Sequence, residues 1–198
     1  DIASGSTTTN QVYHVTYAKG DGEANCNATG STTDATGYEA GATVTLQANE
    51  FTLVGHTFAG WTEDDDDITI SSNQFTMPDH DVVITASWTA KVDKYFDRMH
   101  DQTDDLHGGV VETEGTNEGK YYIAKTGCNY SIPTAVDSNT GDACQTSHYK
   151  LQGWIAASYV ASDGTITPAN LAAHLFPPTG TKTATGATYY AVWAEVTE

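Results

Sequence analysis

The sequence predicts a mostly-β chain of two tandem small domains, the second with an extra hairpin and one short helix. Three observations predict it. Eighteen glycines and a charged fraction of only 17% favour short strands and turns over long helices. The four tryptophans form two matching pairs, Trp61 with Trp88 and Trp154 with Trp193. The segments around them also match. His56-Thr57-Phe58-Ala59-Gly60-Trp61 and Tyr149-Lys150-Leu151-Gln152-Gly153-Trp154 each start on a ring, place an apolar residue two later and end in Gly-Trp. A second Trp then closes a strand, in Val82–Trp88 and in Thr188–Trp193. Such self-similarity marks an internal repeat. The Trp-to-Trp spacing is 27 positions in the first copy and 39 in the second, so the second carries about a dozen more residues.

In chain order, residues 1–11 form a polar tail, 12–90 the first domain and 91–198 the second. Val12–Tyr17 is rich in β-branched and aromatic residues and reads as the opening strand, with Lys94–Met99 as its counterpart. Gly20–Gly37 is a polar loop. Ala42–Ala48 alternates Val44 and Leu46 with polar residues, the pattern of a half-buried strand. His56–Trp61, Gln74–Met77 and Val82–Trp88 complete the first domain, with Phe58, Trp61 and Trp88 as core candidates. In the second, Val110–Glu114 and Lys120–Ala124 flank Gly115–Gly119 as a hairpin, and Trp154 and Trp193 are the core candidates. Thr167 caps a short helix with Pro168 in its first position. Leu171, Leu175 and Phe176 give the helix an apolar face, and Pro177-Pro178 stops it.

Acidic residues outnumber basic ones 26 to 8, for a net charge of −18, and Arg98 is the sole arginine. That balance excludes nucleic-acid binding, which needs a basic footprint. It also argues against docking on anionic membranes, and no apolar run approaches a membrane-spanning length. Residues 1–10 lack the basic and apolar regions of a signal peptide, so any such leader is expected to lie outside this chain.

Several features invite a chemical reading. Glu63, Asp64, Asp65, Asp66 and Asp67 are adjacent carboxylates that could recruit Ca²⁺; the simpler reading is a solvated acidic loop. Asp137–Asp142 faintly suggests a calcium loop but lacks its glycine and glutamate positions. His100 and His107 lie among Asp97, Asp101, Asp104 and Asp105 without a metal-site spacing. There is no HExxH, GxSxG or phosphate-binding loop, so no catalytic residue and no cofactor are expected. Exposed tyrosines, Tyr121 with Tyr122 and Tyr189 with Tyr190, offer rings to a glycan or protein ligand if they lie in strands. Asn27-Ala28-Thr29 and Asn129-Tyr130-Ser131 match the glycosylation tripeptide. Of three cysteines, Cys128 and Cys144 are the expected disulfide; their loop would contribute on the order of 3 kcal/mol. The state of Cys26 stays open.

The segments Tyr38-Glu39-Ala40-Gly41-Ala42-Thr43-Val44-Thr45-Leu46-Gln47-Ala48, His56–Trp61 and Phe75-Thr76-Met77-Pro78-Asp79-His80-Asp81-Val82 to Trp88 follow one another in a specific order. With the opening strand they resemble the internalin-type B-repeat, also called the Listeria–Bacteroides repeat, over residues 12–89. His56 stands where that family usually has Tyr. The second unit shares only Gly153-Trp154, Tyr189–Trp193 and a weak opening strand. The resemblance implies a β-grasp-like α+β fold, found in tandem on secreted or surface-anchored bacterial proteins, whose motifs are structural rather than catalytic. The chain is therefore expected to be a non-enzymatic, extracellular or cell-surface fragment, monomeric, and a stalk, spacer or adhesion module. The rival expectation is a module that binds a host glycan or protein through the tyrosines of the second domain.

Overall fold

The computed structural model describes residues 10–20, 26–96, 110–112, 120–134 and 149–195. The chain divides into two compact units, residues 1–53 with 57–89, and 54–56 with 90–198. Among the described residues, strands dominate both, with one short α-helix and one 3-10 turn.

The first unit contains β1 (Val12–Tyr13), β2 (Val15–Ala18), β3 (Tyr38–Glu39), β4 (Thr43–Thr45), β5 (His56–Thr62), β6 (Gln74–Thr76) and β7 (Val82–Ala90). Its main sheet has the order β2-β7-β5. The opening strand runs parallel to the closing one, with Val15 opposite Val82 and Tyr17 opposite Ile84. Alternation along these strands places Val15, Tyr17, Val82, Ile84 and Ala86 inward and leaves Thr16 and Val83 exposed. A second pair, β4 with β6, sets Val44 opposite Phe75. Both are buried, while flanking Thr43, Thr45, Gln74 and Thr76 face water. Ser72 and Asn73 take positive φ values, 52° and 63°, in the two-residue turn that feeds β6.

Leu46, Phe51, Ile68 and Met77 complete that core. Phe58, Trp61 and Trp88 are partly buried and pack against it. Trp61 lies 4.8 Å from Tyr17 and 5.1 Å from Phe58, and Phe58 lies 5.8 Å from Trp88. Both indole N–H groups find carbonyls: Trp61 donates to Gln47 O and Trp88 to Lys19 O. His56, at the expected ring position, is buried with Nδ1 2.9 Å from Val54 O.

The second unit contains β8 (Val92–Phe96), β9 (Val110–Glu112), β10 (Lys120–Thr126), β11 (Tyr130–Ser131), β12 (Tyr149–Ala156), α1 (Pro168–His174), β13 (Thr181–Lys182) and β14 (Thr188–Glu195). Its sheet has the order β12-β14-β8-β10-β9. Here too the opening strand is parallel to the closing one, with Tyr95 opposite Tyr189, and a small pair, β11 with β13, stands apart. The predicted hairpin is β9 and β10, with Tyr121 opposite Val111. Thr167 accepts the Asn170 N–H, and Pro168 begins the helix. Phe176 is a correction: it lies outside α1, extended, and bridges to Trp154. Pro177 supplies the reason, because a residue before proline is pushed out of the helical region.

Trp154 is fully buried beside Tyr95, Leu151 and Tyr189, and Trp193 packs partly buried against this cluster; Ile155, the next residue of β12, is fully buried outside it. Cys26 and Cys128 are both disulfide-bonded. Cys26, whose state the sequence leaves open, is thus bonded, and Cys144, the partner expected for Cys128, is not among the described residues. Cys144, residues 137–142, His100, His107 and their neighbouring aspartates 97, 101, 104 and 105 lie outside the described residues.

Candidate functional site

The acidic loop follows β5 directly. Asp65 organises it: its Oδ1 accepts the Asp67 N–H at 3.0 Å, and its carbonyl accepts the Ile68 N–H. Ile68 is buried and anchors the loop to the core. His80 Nε2 lies 2.7 Å from Asp65 Oδ2, and its Nδ1 lies 3.6 Å from Asp79 Oδ1. The hydrogen bond from His80, then that from the Asp67 N–H, lowers the Asp65 carboxyl below its ordinary range. The same bond to Asp65 raises the His80 imidazole.

Of the five predicted carboxylates, Asp65 and Asp67 offer ligand atoms within 4.8 Å of each other and of His80; Glu63, Asp64 and Asp66 do not join that group. Two carboxylates and an imidazole are a possible cation site. However, a cation must displace the proton that the Asp65 contact favours on His80. Asp65 and His80 already satisfy each other as a hydrogen-bonded pair.

The predicted ligand tyrosines separate. Tyr189 is a correction, because it faces the core, 6% exposed and stacked 4.9 Å from Tyr95. Successive strand residues face opposite sides, so Tyr190 points the other way, half-buried, with its ring 6.2 Å from Phe96. Register brings Tyr122 and Tyr190 into one row, each opposite Phe96. Phe96 in the middle of that row is only 2% exposed, so the row is not an open platform at its centre. The side chains of Tyr121 and Tyr122 lie outside what is described.

Sequence reasoning missed Asp93. It is fully buried, two residues before Tyr95 and so on the same inward face. Its Oδ1 accepts the backbone N–H groups of Thr185, Gly186 and Ala187 at 2.8–2.9 Å. Its Oδ2 accepts the Tyr130 hydroxyl at 2.7 Å, and Tyr130 and Tyr95 share a 2.6 Å hydroxyl contact. Burial, reinforced by these neighbours, holds the Tyr130 hydroxyl far above its ordinary value, and burial raises Tyr95 as well. Gly186, at φ 82°, lets three successive N–H groups converge on one oxygen. The carboxylate is satisfied on both oxygens and closes a structural network. The available signal was its register with Tyr95, visible only once the strand is placed.

The two Gly-Trp strands differ at their outer edges. Trp154 exchanges both backbone hydrogen bonds with Phe176, at 2.9 and 3.0 Å. The Phe176 backbone passes so close that a Cβ on Gly153 would lie 2.1 Å from its carbonyl oxygen. Gly60 has nothing within 4 Å of the same position, and β5 is the edge of its sheet.

Among the described residues, no helix is long and apolar enough to cross a membrane. No curated protein and no solved structure matches the chain. The family model for the divergent InlB B-repeat domain matches residues 13–92, which places the first unit in the B-repeat family that its motifs resemble.

Proposed function

We propose that the chain is a non-enzymatic tandem-repeat module that serves as a stalk or spacer in a bacterial surface protein, holding another part of that protein away from the cell. One observation carries this reading: the motif residues are spent on packing. Phe58, Trp61 and Trp88 pack on one core and Trp154 and Trp193 on another. The B-repeat match supports an extracellular, repeat-based role. The net charge of −18 favours solubility and discourages nonspecific association.

Single-molecule stretching of the chain between two marker domains tests the proposal. A spacer predicts cooperative unfolding peaks that recover on relaxation. Hydrolytic or transfer activity in the purified chain, lost on changing one polar residue without loss of fold, would overturn it. The second reading, a glycan-binding surface around Tyr190, keeps support from that ring's partial exposure on a strand. A glycan array followed by Tyr190→Ala discriminates: saturable binding lost with the ring would favour adhesion over spacing.

A further inference from the structure

The two units use one strand order, opening-closing-Gly-Trp, and so display one edge in two conditions. On the second unit that edge is covered. The stretch at Phe176 lies antiparallel to Trp154, exchanges two backbone hydrogen bonds with it, and sets its ring 5.1 Å from Tyr189. Trp154 beneath is fully buried. On the first unit, among the described residues, no strand or bridge pairs with the outer side of β5. The space over Gly60 is open, and Trp61 is only partly buried.

Exposed edges attract further strands, and proteins commonly blunt them with lysine, proline or a bulge. The seven residues of β5, His56-Thr57-Phe58-Ala59-Gly60-Trp61-Thr62, contain no lysine and no proline. The charge lies at one end, where Glu63–Asp67 follow directly. Residues 1–90 hold 13 acidic side chains against Lys19 alone. A second copy of this chain would meet like charge; a basic strand would meet its complement.

We propose that the outer edge of β5 takes an extended, lysine- or arginine-rich segment of a partner protein as an added antiparallel strand, over Gly60 and Trp61 where Phe176 lies on the second unit. Backbone hydrogen bonds would supply the affinity, and the acidic run after Thr62 would select basic side chains. This surface is separate from the spacer role and from Tyr190, so it stands or falls independently of both.

The probe is a fluorescein-labelled synthetic decapeptide that alternates lysine with valine and threonine around one phenylalanine. Its twin has the same sequence with alternate backbone amides N-methylated, which keeps the charge and removes one row of donors. Both are titrated into the isotope-labelled 198-residue chain, with polarisation and backbone amide shifts as readouts. The expected result is saturable binding, amide shifts centred on Thr57–Thr62, and about tenfold weaker binding of the twin, the equivalent of one or two lost hydrogen bonds. Equal binding of the two peptides would reduce the effect to charge attraction and overturn the proposal. Shifts confined to another edge, or no binding by either peptide, would overturn it too.

Discussion

The two units solve the same packing problem with different chemistry. Tyr17 opposite Ile84 and Tyr95 opposite Tyr189 are equivalent pairs, each four residues before its closing Trp on the last strand. The ring contacts are conserved in kind: Tyr17 lies 4.8 Å from Trp61, and Tyr95 lies 4.9 Å from Trp154. Two residues earlier on the opening strand, the units diverge. The first buries Val15 and the second buries Asp93. An apolar side chain needs only neighbours, whereas a buried carboxylate needs donors on each oxygen. The second unit builds those donors from the Thr185–Ala187 backbone and from Tyr130. A repeat can therefore keep its topology while exchanging a hydrophobic contact for a polar network, provided that the whole network arrives together.

Exchanging those two residues is the most disruptive way to break the comparison. Val15→Asp puts a carboxylate where the surrounding cluster is Tyr17, Val82, Ile84 and other largely apolar side chains. The first unit should lose its fold at neutral pH, read as collapsed protection of the β7 amides in hydrogen exchange while β14 stays protected. Next comes Trp154→Ala, which empties a fully buried site and should cost the second unit about 3–5 kcal/mol. Trp61→Ala, at the equivalent but uncovered position, should cost about half as much, because less area leaves water when it folds. Urea titrations followed unit by unit measure both, and equal losses would remove the energetic meaning of the Phe176 cover.

Asp93→Val makes the second unit resemble the first at this position. It deletes charge-assisted hydrogen bonds, so a loss of about 3 kcal/mol is expected. Asp93→Asn, which keeps an acceptor oxygen, should recover part of that loss. A neutral or stabilising Asp93→Val would mean that the network serves no stability role, as replacements of buried ionic groups sometimes show. Thr167→Ala removes the side-chain acceptor for the Asn170 N–H and should cost about 1 kcal/mol, confined to the helix.

Much of this architecture was legible in the chain. Gly-Trp segments and closing tryptophans revealed the repeat because glycine and tryptophan carry strong, local constraints. Thr167-Pro168 announced the helix, and two prolines announced its end. The pleat parity of Asp93 was not legible, since an aspartate in a strand reads as outward until a neighbour of known direction fixes the register. Nor was the inward face of Tyr189: adjacent tyrosines show that one points in, without saying which. At the acidic loop the run of carboxylates was obvious. The selection of Asp65 and Asp67 by His80 was not, as it depends on a contact across 15 positions.

That contact gives the smallest predicted effect, and one confined to the first unit. His80 is raised by its bond to Asp65, so its contribution is fully present below the ordinary histidine value and fades as pH climbs through the raised value. Asp65 is lowered by His80, so its contribution holds above the ordinary carboxylate value and is lost as pH falls through the lowered one. Both are present together between about pH 4 and pH 6.5. The first unit should melt slightly higher there than at pH 8. Solvent screens the pair strongly, so the sharper readout is the His80 ring titration by NMR. Its midpoint should lie above the ordinary value and return towards it in Asp65→Asn. A divalent cation that shifts this ring at pH 7.5 would instead show Asp65, Asp67 and His80 acting as ligands, and the account of the loop as a closed histidine–aspartate pair would give way.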